Sequence, residues 1–261
     1  MRFDVITLFP ELFGPFLQHG INRRAFESGL VDVRLWPLRD HAEGNYRRVD
    51  DRPFGGGPGM VMMAEPLAAC WRAVREQRQA EGVPVGPTVL FSPQGQRMDH
   101  ALVSREASGP GAILVCGRYE GIDQRFIDQC VDMQLSLGDF VLSGGELAAM
   151  ALLDGVARLQ PGVLNDEGSH QQDSFHPSLD GLLDCPHYTR PERWHGPNGE
   201  AAVPEVLLSG HHGQIGRWRR QQSLTNSAAL RPDLLERARA AGRLTVEDER
   251  WLADRNQAPR T

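Results

Sequence analysis

The sequence contains no lysine; all 28 of its basic residues are arginine. That excludes Schiff-base catalysis, a pyridoxal lysine and the phosphate-binding lysine of a P-loop, each of which needs an ε-ammonium group. Cysteine is scarce: Cys70, Cys116, Cys130 and Cys185 are far apart, without the Cys-x-x-Cys or Cys-His spacing of a zinc or redox centre. They read as buried free thiols, and no metal site is expected from spacing. Long apolar runs are also missing. The longest, Leu147 to Leu153, is far below a membrane span, and the segment Met1 to Phe9 is only briefly apolar and carries Asp4. A cytoplasmic protein with no membrane partner is the expectation. Nor is there a basic excess. A formal charge of −6 argues against coating nucleic acid through bulk positive charge, so any such contact has to be local.

What is present is an ordinary globular composition over 261 residues, long enough for one large or two modest domains. Short β-rich runs recur at Phe3–Leu8, Val31–Trp36, Thr88–Phe91, Ala112–Cys116 and Met133–Leu137. Helical stretches separate them at Pro10–His19, Pro66–Ala80, Asp99–Ala107 and Ile122–Gln129, the first two opening on proline. Alternation of this kind predicts an α/β fold with a mainly parallel sheet, covered on both faces, and ligands beyond the carboxyl ends of the strands. From Gln160 to Phe175 the periodicity stops and Gly, Asn, Asp, Ser and Gln take over. The expected organisation is therefore a domain over 1–160, a linker over 161–175 and a smaller, mostly helical domain over 176–261. Within that last part Val203–Ser209 is the one strand-like run.

Three constellations carry chemistry. In Asp50-Asp51-Arg52-Pro53-Phe54-Gly55-Gly56-Gly57-Pro58-Gly59-Met60 the glycines let a flat or anionic ligand approach the backbone. Asp50 and Asp51 can accept from base amino groups and Arg52 can meet a phosphate; an irregular loop is the plainer reading. Next, two glycine-bearing loops each follow a predicted strand: Val115 to Gly121 and Leu137 to Glu146. Together they read as a pocket walled by backbone, or as two tight turns. Neither has the Gly-x-Gly-x-x-Gly spacing of a Rossmann dinucleotide site. Ser143 and Glu146 match a capping box for a helix from about Gly144 to Leu159, apolar nearly all round. Its exceptions, Asp154 and Arg158, are four apart, as for an intrahelical ion pair. Arg158 is also placed to face a site, just before the loop that carries Asp166, Glu167 and Asp173.

The third is basic. Arg217-Trp218-Arg219-Arg220 leads a segment with seven arginines up to Arg243, against Asp233 and Glu236. Arginine can neutralise phosphates and stack on bases, and Trp218 can stack too; a solvated helix face with Trp218 in the core explains the same string. His211 and His212 read as hydrogen-bonding loop residues.

Several of these strings, taken in order, resemble the bacterial tRNA (guanine-N1)-methyltransferases of the SPOUT class. The resemblance runs through Ile6–Glu11, Val49–Met60, Ser92–Gly95, Cys116–Asp123, Gly138–Glu146, Asp173–Phe175, His187–Pro191 and Leu207–His212, nearly the whole chain. It implies a deep trefoil knot in the SPOUT-type sheet, a homodimer, and a helical C-terminal domain that grips tRNA. It places S-adenosylmethionine on Pro93, Gly117, the run Leu137, Gly138, Asp139, Phe140, Val141 and Leu142, and on Gly144 and Gly145. RNA contacts fall to Asp50, Arg52, Gly59, Arg217, Arg219 and Arg220, and a supporting Mg²⁺ is compatible with it. Phe54 and Phe140 stand where the family usually has tyrosine, Tyr46 where histidine is common, and Leu230 where an arginine is usual. The implied reaction moves a methyl group to N1 of the guanine 3′ of the anticodon, position 37. N1 carries a proton, so a base is needed, and Asp173 falls on the family's catalytic aspartate. Arg158, likewise on a family position, would stabilise charge displaced onto O6. Two other readings share these features: a related methyltransferase acting on another RNA, and a non-catalytic RNA-binding regulator.

Overall fold

The computed structural model describes residues 1–165 and 170–257, in two compact units, Met1–Asn165 and Asp166–Thr261. The division falls inside the 161–175 segment.

In chain order the first unit contains β1 (Arg2–Thr7), α1 (Phe13–Gln18), α2 (Arg23–Glu27), β2 (Asp32–Pro37), β3 (Asp50–Asp51), β4 (Val61–Met62), α3 (Ala64–Ala80), β5 (Thr88–Arg97), α4 (His100–Ala107), β6 (Ile113–Val115), α5 (Gln124–Cys130), β7 (Met133–Ser136) and α6 (Glu146–Arg158). Five strands form one sheet in the order β2-β1-β6-β5-β7, with every pairing parallel. Side-chain alternation splits its core in two. Phe3, Val5, Val89, Leu114 and Leu135 point to the face covered by α1, α4 and α6; Ile6, Leu90, Ile113 and Val115 point to the face covered by α3 and α5. Both faces of the inner strands are buried, so Ile113–Val115 is apolar throughout, whereas the edge strand β2 is half-buried.

Where the sheet meets α3, one cation is fully enclosed. Arg78 places Nε on Asp4 (2.6 Å), Nη1 on the Pro84 and Val85 carbonyls, and Nη2 on those of Arg2 and Ala112. Asp4 also takes Arg2 at 2.7 Å, and Arg2 reaches Glu81 at 2.6 Å. A buried guanidinium is tolerable because its donors are all met.

β5 runs past the sheet's ordinary edge. Val89–Phe91 pair with Met133–Leu135, the register then shifts, and Gln96–Arg97 pair again with Leu135–Ser136. A Cβ on Gly95 would lie 2.4 Å from the Leu135 amide nitrogen, so only glycine fits where the loop crosses back over β7.

The second unit has a hairpin, β8 (Arg193–Gly196) and β9 (Gly199–Ala202), then α7 (Glu205–Leu208), α8 (His212–Leu230), α9 (Pro232–Ala240) and α10 (Val246–Gln257). Leu182, Leu224, Leu234, Leu235, Ala238 and Leu252 form its core. The expected strand at Val203–Ser209 is not formed. Pro204 cannot donate to a ladder and instead caps the single turn α7. The true strands flank Pro197-Asn198, with Gly196 opposite Gly199, a two-residue turn closed by a glycine at φ +110°.

Candidate active site

The carboxyl ends of β5, β6 and β7 open into a cavity of about 430 Å³, within the range of small-molecule sites. It sits where β6 lies inboard of β5 although it follows it in sequence, so successive connections leave in different directions. Pro93 lines it from within β5, where the register with β7 shifts, and Gly117 after β6. Leu137, Phe140, Val141 and Leu142 line it after β7, and Gly144 and Gly145 just before α6. Gly138 and Asp139 belong to the same loop but not to the lining. The Gly138 carbonyl accepts from Ser136 Oγ, and Asp139 reaches out to Arg97 at 3.5 Å.

Two of the loops are sewn together by backbone. The Gly145 amide donates to the Gly117 carbonyl at 3.0 Å, and Arg118 bridges antiparallel to Gly144. A Cβ on Gly145 would stand 2.8 Å from Cys116 Cα, so a side chain there would drive the loops apart. Beneath the seam lies Glu146, 1% exposed. It accepts from Thr7 Oγ1 at 2.8 Å and lies 2.9 Å from Arg118 Nη2, an ion pair without hydrogen-bond alignment, since Oε2 and Arg118 Nε have no hydrogen-bond partner. Arg118 also donates to the Ser143 carbonyl and covers the Phe9 ring. The expected capping box is therefore absent. Gly145 occupies the N-cap with no side-chain bond, and Glu146 is turned inward to Thr7 and Arg118. The neighbouring Cys116 thiol is pushed up by burial, with Glu146 adding to it.

The loop from Asp50 to Met60 is anchored beside this cavity. The Glu120 amide donates to the Met60 carbonyl, the Met62 amide to Gly121, and the Asp123 amide to Met62. Glu120 and Gly121 line the cavity, so the glycine loop shares its rim. Gly55, Gly56, Gly57 and Gly59 all have positive φ, and Phe54 at the tip is fully exposed. Asp50 is half-buried; the Tyr119 hydroxyl beside it is pushed up by burial and by that carboxylate, with Arg39 opposing. Arg52 is exposed and, among the described residues, has no ion pair.

Arg158 is half-buried in the last turn of α6, whereas Asp154 takes the side-chain amide of Asn22. Asp173 is half-buried in the second unit, after a 3₁₀ turn at His170–Gln172. Asp166 and Glu167 lie outside the described residues.

The basic segment divides. Arg220 is committed to Asp248 (2.9 Å) and Asp180 (2.8 Å), with its pKa raised chiefly by the Asp248 hydrogen bond, so it ties the second unit together instead of presenting a free cation. Arg217 meets Glu247 at 3.3 Å. Arg219 is exposed and, among the described residues, unpaired; it borders a cavity of about 450 Å³ with Tyr188 and Trp218. Trp218 is half-buried at that border, neither core nor free. His211 caps α8 through Nδ1, as a loop hydrogen-bonding residue should. Among the described residues, one three-residue group offers ligand atoms close together, Asp184, Cys185 and His187. Asp184 already accepts from the Cys185 amide and pairs with His187, and the thiol is pushed up by burial.

The family model described as tRNA (Guanine-1)-methyltransferase TrmD matches residues 1–237. A protein of Polaromonas sp. (strain JS666 / ATCC BAA-500) named tRNA (guanine-N(1)-)-methyltransferase is 67% identical over 259 residues, 99% of this chain and 98% of its own. Proteins of the same name from Paracidovorax citrulli and Bordetella parapertussis are 69% and 57% identical, covering 98% and 97% of this chain and 99% and 97% of their own. With a model match across most of its length and relatives this similar end to end, the chain belongs to the tRNA (guanine-1)-methyltransferase family.

Proposed function

We propose that this protein transfers a methyl group from S-adenosylmethionine to N1 of the guanine at position 37 of tRNA, 3′ of the anticodon. The observation that carries the reading is the backbone-walled cavity at the ends of β5, β6 and β7, in a chain whose relatives are named tRNA (guanine-N(1)-)-methyltransferase.

The cavity suits the cofactor. Its glycines let a flat ligand come close to the main chain, while Leu90, Ile122 and Leu135 offer apolar walls. Pro93, Gly117, Phe140, Leu142 and the Gly144-Gly145 pair would hold it. When bound, S-adenosylmethionine supplies an electrophilic methyl group. The rest falls to side chains. Asp173 accepts the N1 proton of guanine, which frees the ring nitrogen lone pair for attack. Arg158 donates to O6, where the displaced charge collects. Arg118, held by Glu146, keeps the loops on either side of the cavity in register. Asp50 and Arg52 on the glycine loop would contact the substrate nucleotide. The crossing of β5 over β7 and the Gly145–Gly117 seam are what a chain threaded through its own loop would need, and the knot belongs to this proposal with the homodimer and the cytoplasmic setting. Mg²⁺ is a different case. It favours octahedral oxygen ligands, and the thiol and imidazole of the Asp184, Cys185 and His187 group do not suit it. No step is assigned to the ion.

Incubating a tRNA transcript with isotopically labelled cofactor and mapping the product by mass spectrometry tests the reading. A label on N1 of guanine 37, lost when that guanine is replaced, is the expected result. Label on another nucleotide would favour a related RNA as substrate, and no transfer despite tight RNA binding would favour a regulator.

A further inference from the structure

In the second unit most arginines are spoken for. Arg193 meets Glu200, Arg217 meets Glu247, Arg220 meets Asp180 and Asp248, Arg231 and Arg237 share Asp233, and Arg239 meets Glu249. Arg190, Arg219, Arg243 and Arg250 are exposed and have no such carboxylate partner among the described residues, and of these Arg190 and Arg219 border the cavity of about 450 Å³. That cavity also has two aromatic walls. Tyr188 and Trp218 lie 6.2 Å apart between ring centroids at 58°, so neither stacks on the other, and Tyr188 remains 49% exposed. Leu207, Leu208 and Ile215 supply an apolar floor, and Glu192 is the one unpaired carboxylate on the lining.

Rings that are not stacked on each other, flanked by unpaired guanidiniums, match an unstacked base with its phosphates. A duplex fits poorly, because its stacked bases present no free face to the rings. We propose that this groove seats one unpaired nucleotide of the RNA substrate, the base against Tyr188 and Trp218 and the flanking phosphates on Arg190 and Arg219. Glu192 is the acceptor for a base amino group. The inference rests on the reading that the substrate is tRNA, and it adds a site for a nucleotide other than the one methylated.

The test measures the affinity of the full-length protein for a fluorescently labelled tRNA transcript over a range of salt concentrations. Cofactor calorimetry, steady-state kinetics and sedimentation accompany it. Tyr188→Ala is expected to weaken tRNA binding about tenfold, with the salt dependence unchanged, because a neutral stacking face is lost. Tyr188→Phe restores binding. Arg219→Ala weakens binding and lowers the slope of log K against log salt by about one. Tyr188→Ala and Arg219→Ala leave cofactor affinity as it is and raise KM for tRNA, and Tyr188→Phe keeps the native KM. Wild-type affinity in Tyr188→Ala, failure of phenylalanine to rescue, or a changed oligomeric state with RNA affinity intact would each overturn the groove. If the native protein binds tRNA through these residues but methylates no guanine, the proposed activity fails while the groove stands. If it methylates guanine 37 and the variants bind normally, the groove alone fails.

Discussion

Arg158 and Glu146 show how differently two charged side chains on one helix come to matter. Arg158 sits half-buried in the last turn of α6, and its assigned task is to receive negative charge at O6 of guanine. A preorganised donor of this kind is worth roughly 3 kcal/mol, so Arg158→Ala should slow single-turnover methyl transfer about 100-fold with little change in cofactor affinity. If only tRNA affinity fell, the O6 assignment would be wrong. Glu146, at the other end, was read in the sequence as half of a capping box. The string Ser143-x-x-Glu146 is identical whether the carboxylate folds back on its own helix or turns inward, and the partner that decides, Thr7, lies 139 residues away. Arg158 stood out in the sequence as a cation near the end of an apolar helix just before the loop that carries Asp173, whereas the roles of the two came only with the family resemblance. Nothing in charge or spacing alone marked them as a pair.

The inner strands of the parallel sheet were readable where burial on both faces makes the run apolar throughout, as in Ile113–Val115, while the edge strand β2 was read from β-branched and aromatic residues spaced between charged ones. The hairpin β8–β9 escaped for the opposite reason: its residues are almost all exposed, and only the Asn198-Gly199 turn signalled it. The two loops that wall the cavity were located by their glycines, but the close approach that requires those glycines appears only in three dimensions. Gly145→Ala puts a methyl group 2.8 Å from Cys116 Cα, where backbone has to move. The expected outcome is a loss of cofactor affinity of tenfold or more, read by calorimetry, while the second unit's helices keep their circular dichroism. An affinity equal to that of the native protein would mean that the seam between the loops does not shape the site.

Stability of the folded chain against acid is set in part at the edge of the sheet remote from the cavity loops. There the Arg34 hydrogen bond, helped by Gln77 and the Arg2 charge, holds the Glu81 carboxyl at about 2, below its ordinary 4.5. A carboxyl depressed on folding contributes stability above the unfolded value, and that contribution is lost as pH falls through the folded one. Between pH 4.5 and 2 the native protein should therefore lose stability more steeply than Glu81→Gln, in denaturant titrations at each pH. Parallel curves would remove Glu81 from the account. The change of texture after Leu159 lies a few residues before the division between the two units at Asn165 and Asp166, because loss of periodicity reports loss of a shared core. How the arginines of the second unit pair off was not visible in the sequence, since a run such as Arg217-Trp218-Arg219-Arg220 does not say which guanidinium finds a carboxylate. The central claim is that this fold carries a base for guanine N1 on Asp173. Single-turnover methylation of tRNA by Asp173→Asn, with cofactor binding followed by calorimetry, addresses it most directly. Unchanged cofactor affinity with a rate reduced about 10²- to 10⁴-fold is the predicted result, and a near-native rate would contradict it.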